Sequence, residues 1–219
     1  MSGFPFSFHI RLQTIFKPHG LMVRRKPQGC CDDVIFLDLS EMDLNVDLTD
    51  VHFWVSLATI MFNPFFWNVV ARSEYRNHTL EHFLGSPQRG CIFLGIVIVG
   101  LGILRDWLFK IAIESQPRWS LLHENWILFL GYACILFGCY LVFTSYWALG
   151  FYGTFLGDYF GILMDDKVTG FPFNITDNPM YWGSTLNFLG TALVKASQSG
   201  IFLSLVAGVS YQIAITFEG

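Results

Sequence analysis

Charge is the scarcest property of this 219-residue chain. Asp, Glu, Lys and Arg make up 14% of it, where a soluble domain carries about a quarter. That deficit excludes a surface bathed in water on every side. Between residues 126 and 157 there is no Asp, Glu, Lys, Arg or His at all. One bilayer crossing needs only about 20 residues, so part of this run must tilt, bend or leave the membrane.

Other absences narrow the function. No His/Cys set has zinc-ligand spacing, so no metal site is expected. There is no phosphate-binding glycine loop and no nucleophile elbow. The net charge of −4 gives no reason to expect a nucleic-acid partner. No apolar core of suitable length follows the first basic residues, so no secretory signal is read. The cysteines are odd in number: Cys30, Cys31, Cys91, Cys134 and Cys139. They are expected to be reduced and mostly structural, although the adjacent Cys30-Cys31 pair also suits palmitoylation.

What charge there is falls unevenly. Residues 1–26 carry Arg11, Lys17, Arg24, Arg25 and Lys26 and no acid, whereas residues 27–71 carry seven acids and no Lys or Arg. A basic, acid-free start is either a targeting or anionic-lipid patch or a disordered tail. Residues 27–50 read as a soluble linker.

Aromatics are abundant at 17%, with 23 Phe and 7 Trp, as bundle packing and interfacial belts require. Four apolar runs follow. The first, 51–71, contains Asn63-Pro64 and either spans with a kink or dips in and returns. The second, about 91–104, needs extension back to Leu84 or forward to Trp107, with Arg89 and Arg105 as snorkelling ends. The third is 126–157 and the fourth is 196–217. The expected fold class is therefore an all-α integral membrane protein. It is a small helical bundle of three transmembrane helices plus one re-entrant or fourth spanning helix. Positive charge is equal on segments 72–90 and 105–125, so orientation is left open.

Two stretches carry polar chemistry. Gly150, Gly153, Gly157 and Gly161 would share one smooth helical face, suiting close helix contact or a flat ligand. Asp158 beside them is either a functional carboxylate or a cap at the membrane surface. The segment from Phe171 to Ser184 is crowded with amides, hydroxyls, aromatics and two prolines. In lipid its backbone would go unpaired, so it is a surface turn or the wall of a polar cavity. Asn178-Pro179 favours a turn with a helix starting at Pro179. That N-terminus would offer free N–H groups to an anion. Tyr181 and Trp182 offer ring faces to a cation; an interfacial aromatic belt is the competing reading.

The blocks Phe62 to Arg72, Leu149 to Leu163 and Phe171 to Ser184, in that order, closely resemble the animal phosphatidylethanolamine N-methyltransferase family. The resemblance covers about residues 45–218. It implies a membrane methyltransferase domain over 45–219, preceded by a flexible N-terminal extension over 1–44. It also implies S-adenosyl-L-methionine as methyl donor, with phosphatidylethanolamine and its mono- and dimethyl derivatives as acceptors on the way to phosphatidylcholine. The implied location is the endoplasmic reticulum and mitochondria-associated membranes.

In related isoprenylcysteine methyltransferases a His-Pro-x-Tyr-x-Gly signature helps form the cofactor site. The matching stretch here is Asn178-Pro179-Met180-Tyr181-Trp182-Gly183, which implies cofactor roles for Asn178, Tyr181 and Gly183. The absent His argues against a prenylated cysteine as acceptor. The family's Gly-x-Gly element is met here by Gly138 alone, and its Glu-Glu pair by Glu218 alone. A truncated, weak or inactive isoform that binds lipid or a partner is therefore the alternative. Asp158, Tyr181 and Glu218 are the candidates for removing the acceptor's proton. Tyr159, Tyr181 and Trp182 could stabilise positive charge. Oligomeric state is not legible.

Overall fold

The computed structural model describes residues 46–164 and 166–218. The 1–44 extension, its basic stretch and Cys30-Cys31 lie outside the described residues, as do Asp165, Gly219 and the side chain of Glu218. Among the described residues six α-helices follow one another: α1 Val51–Asn77, α2 Thr79–Leu84, α3 Pro87–Ser115, α4 Asn125–Thr154, α5 Pro179–Val194 and α6 Gln198–Glu218. Helices α1, α3 and α6 are long and apolar enough to cross a membrane, and so is the stretch Asn125–Phe160 that begins with α4. Their outer faces carry side chains that water would not tolerate in such number: Trp147 is 79% exposed, Phe129 76% and Leu136 72%. Contiguous apolar surface on this scale marks contact with lipid or a partner, and with the four long helices it makes this a multi-pass membrane protein.

Local chemistry sets the helix ends. Asp50 caps α1 by accepting the His52 N–H at 2.9 Å, and Ser86 caps α3 by accepting the Arg89 N–H at 3.3 Å. The last residues of the expected linker are tied down. The Gln116 side chain, buried after α3, accepts from the Asp47 N–H and donates to the Asp47 carbonyl, both at 2.8 Å. Of the two possibilities for residues 51–71, the continuous helix is found, and it runs on to Asn77 with Pro64 inside it. Asn63 next to that proline donates to the Leu101 carbonyl at 3.1 Å, a polar bond between α1 and α3. Residues 72–90, between the first two apolar runs, are mostly helical. Buried Glu74 accepts the Leu80 and Glu81 N–H groups at 2.6 and 2.9 Å, starting α2 directly after α1.

The long third run bends, one of the three outcomes its length left open. Gly150 sits at φ 65°, ψ −172°, a conformation open to glycine, and breaks α4 near its end. Four glycines on one helical face are therefore not formed. Gly157 and Asp158 fall in a 3-10 turn, Gly157–Phe160, and Gly161 closes it at φ 74°.

Helix α5 packs between α4 and α6. Its 16 residues span roughly 24 Å at 1.5 Å each, short of a bilayer core of about 30 Å. It packs antiparallel on α4 through two glycine contacts. A Cβ on Gly138 would fall 2.6 Å from the Gly183 carbonyl, and one on Gly190 would fall 2.6 Å from the Gly131 carbonyl. Both helices thus present a glycine every seventh residue, which lets their backbones touch. The main core joins Phe53 and Ile60, Phe109 and Ile113, Phe188 and Ala192, and Leu203 and Tyr211.

Arg105 corrects one expectation. It does not snorkel outward from the end of a span. Its side chain, 12% exposed, turns inward, because aromatic and hydroxyl partners on α5 and α6 are there to receive it.

Candidate active site

Asn178 and Pro179 begin α5 as their chemistry requires. The residue before proline is kept out of the helical region, and Asn178 sits at φ −129°, ψ 59°. Pro179 in the first turn costs no hydrogen bond, because the N–H it lacks would have had no partner. The loop before it folds on buried Pro172, whose carbonyl accepts the Ile175 N–H at 3.1 Å.

From this start Tyr181 reaches two other helices. Its ring stacks on Trp67 of α1, with centroids 6.4 Å apart and planes at 16°. It also packs on Tyr211 of α6 at 5.0 Å and 34°. Trp67 and Tyr211 close the triangle at 6.5 Å and 22°. Three helices thus contribute one ring each to a single cluster. Behind it, Arg105 of α3 donates to the Tyr211 hydroxyl at 2.5 Å. The same guanidinium lies 4.9 Å above the Phe188 ring and 2.9 Å from Asp106.

Two cavities flank the first turn of α5. An open groove of about 550 Å³ runs between α5 and α6, lined by Tyr181, Trp182, Thr185, Tyr211 and Gln212 with Leu205, Val209 and Ile213. A pocket of about 720 Å³ is lined by Lys167, Thr169, Asn174, Asp177, Asn178 and Ile215. Both volumes lie in the range of small-ligand sites. They differ in character: the groove is mostly apolar, whereas the pocket is rich in amide, hydroxyl and charged groups. Asn178 faces the pocket, and Tyr181 and Trp182 one turn on face the groove.

The residues singled out from the sequence separate accordingly. Asn178, Tyr181 and Trp182 line the cavities. Gly138 and Gly183 line neither; each is packed against the backbone of the other. Asp158 is exposed in its 3-10 turn and lines neither cavity. Tyr159 stands edge-on to Tyr75 at 6.2 Å. Glu218 is the last residue of α6. The carbonyl before it, on Phe217, accepts from Arg72 through Nε at 3.1 Å and through Nη2. One turn earlier, Ile215 lines the pocket and Thr216 the groove.

Sequence reasoning missed Tyr211, Gln212 and Thr185, and it did not connect Trp67 to the site. The available signal was the pair Tyr211-Gln212, two polar groups side by side inside an apolar run.

A family profile described as phospholipid methyltransferase matches residues 126–219. The chain is 53% identical over 173 residues to a phosphatidyl-N-methylethanolamine N-methyltransferase of Emericella nidulans, covering 79% of this chain and 84% of that one. It is 50% identical to a phosphatidylethanolamine N-methyltransferase of Rattus norvegicus, covering 79% and 87%. It is 49% identical to a phosphatidyl-N-methylethanolamine N-methyltransferase of Saccharomyces cerevisiae, covering 80% and 84%. No solved structure matches. The chain belongs to the phospholipid methyltransferase family and is a multi-pass membrane methyltransferase of that kind.

Proposed function

We propose that this enzyme methylates the amine of phosphatidylethanolamine three times in succession, yielding phosphatidylcholine, with S-adenosyl-L-methionine as donor. The observation that carries the reading is the pairing of an apolar groove with a polar pocket across one turn of α5. A water-soluble donor and a bilayer lipid can meet only where a polar cavity adjoins an opening to lipid. The names of the relatives support phosphatidylethanolamine and its monomethyl derivative as acceptors. We assign the protein to the endoplasmic reticulum and mitochondria-associated membranes, following the family resemblance.

The residues fit these two ligands. Asn174, Asp177 and Asn178 offer both donors and acceptors to an amino acid and a nucleoside, and Lys167 offers a cation to a carboxylate. When bound, S-adenosyl-L-methionine supplies a methyl carbon activated by a positively charged sulfur. Tyr181 and Tyr211, which line the groove with Trp67 stacked on both, offer π faces to such a cation and to the quaternary ammonium of the product, worth roughly 0.5–2 kcal/mol each. In the groove, Leu205, Val209 and Ile213 suit acyl chains, and Thr185 and Gln212 suit polar lipid atoms.

The acceptor amine starts as an ammonium and must lose a proton before it can react. Tyr181 lines the groove and is assigned first as the group that receives or relays it. Asp158 is the second candidate, through solvent. Gly138 and Gly183 contribute by distance, letting α4 close on the first turns of α5. Glu218 is assigned to the donor, at the end of the helix that borders both cavities.

The test is an assay in mixed micelles with labelled S-adenosyl-L-methionine and, separately, phosphatidylethanolamine, its monomethyl form and its dimethyl form. Label is expected in all three products. Label that enters only a non-phospholipid acceptor would overturn the assignment.

A further inference from the structure

Arg105 is a largely covered charge with no role in the proposed reaction. It sits on α3 ten residues before Ser115, roughly 15 Å from that helix end at 1.5 Å per residue. A guanidinium turned into a membrane bundle is costly, and such residues commonly serve function. Arg105 lines neither cavity. Among the described residues, its hydrogen bond to a cavity-lining side chain is the one to Tyr211.

The hydrogen bonding has a direction. A guanidinium has donors and no acceptor, so in the 2.5 Å contact the Tyr211 oxygen must accept. The hydroxyl proton is then turned away from Arg105. With its oxygen held on one side and its ring against Tyr181 and Trp67 on the other, Tyr211 has little freedom to swing. Charge is compensated as well. Asp106 accepts from Arg105 through Nε at 3.0 Å and Nη2 at 2.9 Å. Without that carboxylate, a bare guanidinium behind the ring cluster would oppose any cation on its far side.

We propose that Arg105 is a positioning residue for cation binding. Through the Tyr211 hydroxyl it fixes the third ring of the Trp67–Tyr181–Tyr211 cluster, and so sets the preference of the site for a sulfonium donor over its neutral thioether product. The inference rests on the function proposed above.

The test measures affinity of the full-length protein in micelles for S-adenosyl-L-methionine and for S-adenosylhomocysteine, which lacks the charge. Arg105→Met and Tyr211→Phe are each expected to lower the ratio of the two affinities about tenfold, with thioether affinity within threefold of wild type. The double variant should fall no further, because both changes break one link. Arg105→Lys, which keeps a donor and the charge, should return the ratio to within threefold of wild type. Equal weakening of both ligands would reduce Arg105 to a packing residue and overturn the proposal. So would an unchanged ratio, or additive losses in the double variant. Should Arg105→Met fail to fold, Tyr211→Phe alone reads the link, because it keeps the ring. Wild-type protein run in parallel for methyl transfer separates the two claims. Donor binding without transfer to phospholipid contradicts the proposed function alone, whereas folded protein that binds no donor contradicts both.

Discussion

Gly138 of α4 and Gly183 of α5 meet backbone to backbone. A Cβ on either would fall 2.6 or 2.7 Å from the carbonyl oxygen of the other. Two rigid helices cannot yield locally at such a contact. Gly183→Ala is therefore expected to destabilise by about 1–3 kcal/mol, the usual cost of overpacking. Thermal unfolding in micelles checks this. A lowered melting temperature with near-normal donor affinity in the folded fraction supports a packing role. An unchanged melting temperature with lost donor affinity would make the glycine a ligand contact.

Arg72 holds the end of α6. It donates to the Phe217 carbonyl from two nitrogens, and its guanidinium lies 5.5 Å from the Phe217 ring centroid. A cation on the last carbonyls also favours the helix dipole. Arg72→Ala is expected to speed amide hydrogen exchange at residues 214–217 at least fivefold and leave α3 and α4 unaffected. If Glu218 serves the donor, affinity for the donor should fall severalfold in the same variant.

Asp50 gives the bundle an acid-sensitive corner. Burial pushes its pKa up, but hydrogen bonds from Ser115, from the backbone and ring of His52, and from Gln116 outweigh it and hold the carboxyl below its ordinary value of 3.8. A carboxyl with a depressed native pKa contributes stability above its unfolded value and loses it as pH falls through the native one. The melting temperature should therefore drop below about pH 4. Asp50→Asn keeps a helix cap and should flatten that drop. An unchanged acid limb would assign the acid sensitivity to other carboxylates.

Tyr181 and Asp158 are the two proton-acceptor candidates, and only Tyr181 lines the groove. Tyr181→Phe keeps the stack on Trp67 and Tyr211 and removes the hydroxyl. A loss of about 100-fold in kcat is expected, the lower end of general-base effects, with donor affinity within threefold. Asp158→Asn should cost less than tenfold. The reverse order would move proton transfer to the 3-10 turn after α4.

The spans were legible from their low charge, and the length of the uncharged run called for a tilt, a bend or an exit without saying which or where; the positive φ of Gly150 decides it. The start of α5 was legible from Asn178-Pro179. The helix as a whole was not, because Ser184, Thr185, Asn187 and Thr191 spoil the apolar signal. Three of these hydroxyls and amides find partners inside the bundle: Thr185 and Thr191 donate to carbonyls one turn back, and Asn187 accepts from Cys139. The direction of Arg105 was also hidden, since a long cation snorkels or turns inward according to partners far along the chain. Tyr211, 106 residues away, decides it. The ring cluster has the same character: Trp67, Tyr181 and Tyr211 belong to three separate stretches, and only the packing of α1, α5 and α6 joins them.

The most direct test compares initial rates of deuteriomethyl transfer to phosphatidylethanolamine in nanodiscs, read by mass spectrometry, for wild type and Tyr181→Leu at equal folded concentration. Wild type should yield mono-, di- and trideuteriomethylated lipid, and Tyr181→Leu should be slower by at least 100-fold. Equal rates would remove the first turn of α5 from the site, and no labelled phospholipid from folded wild type would contradict the account at its centre.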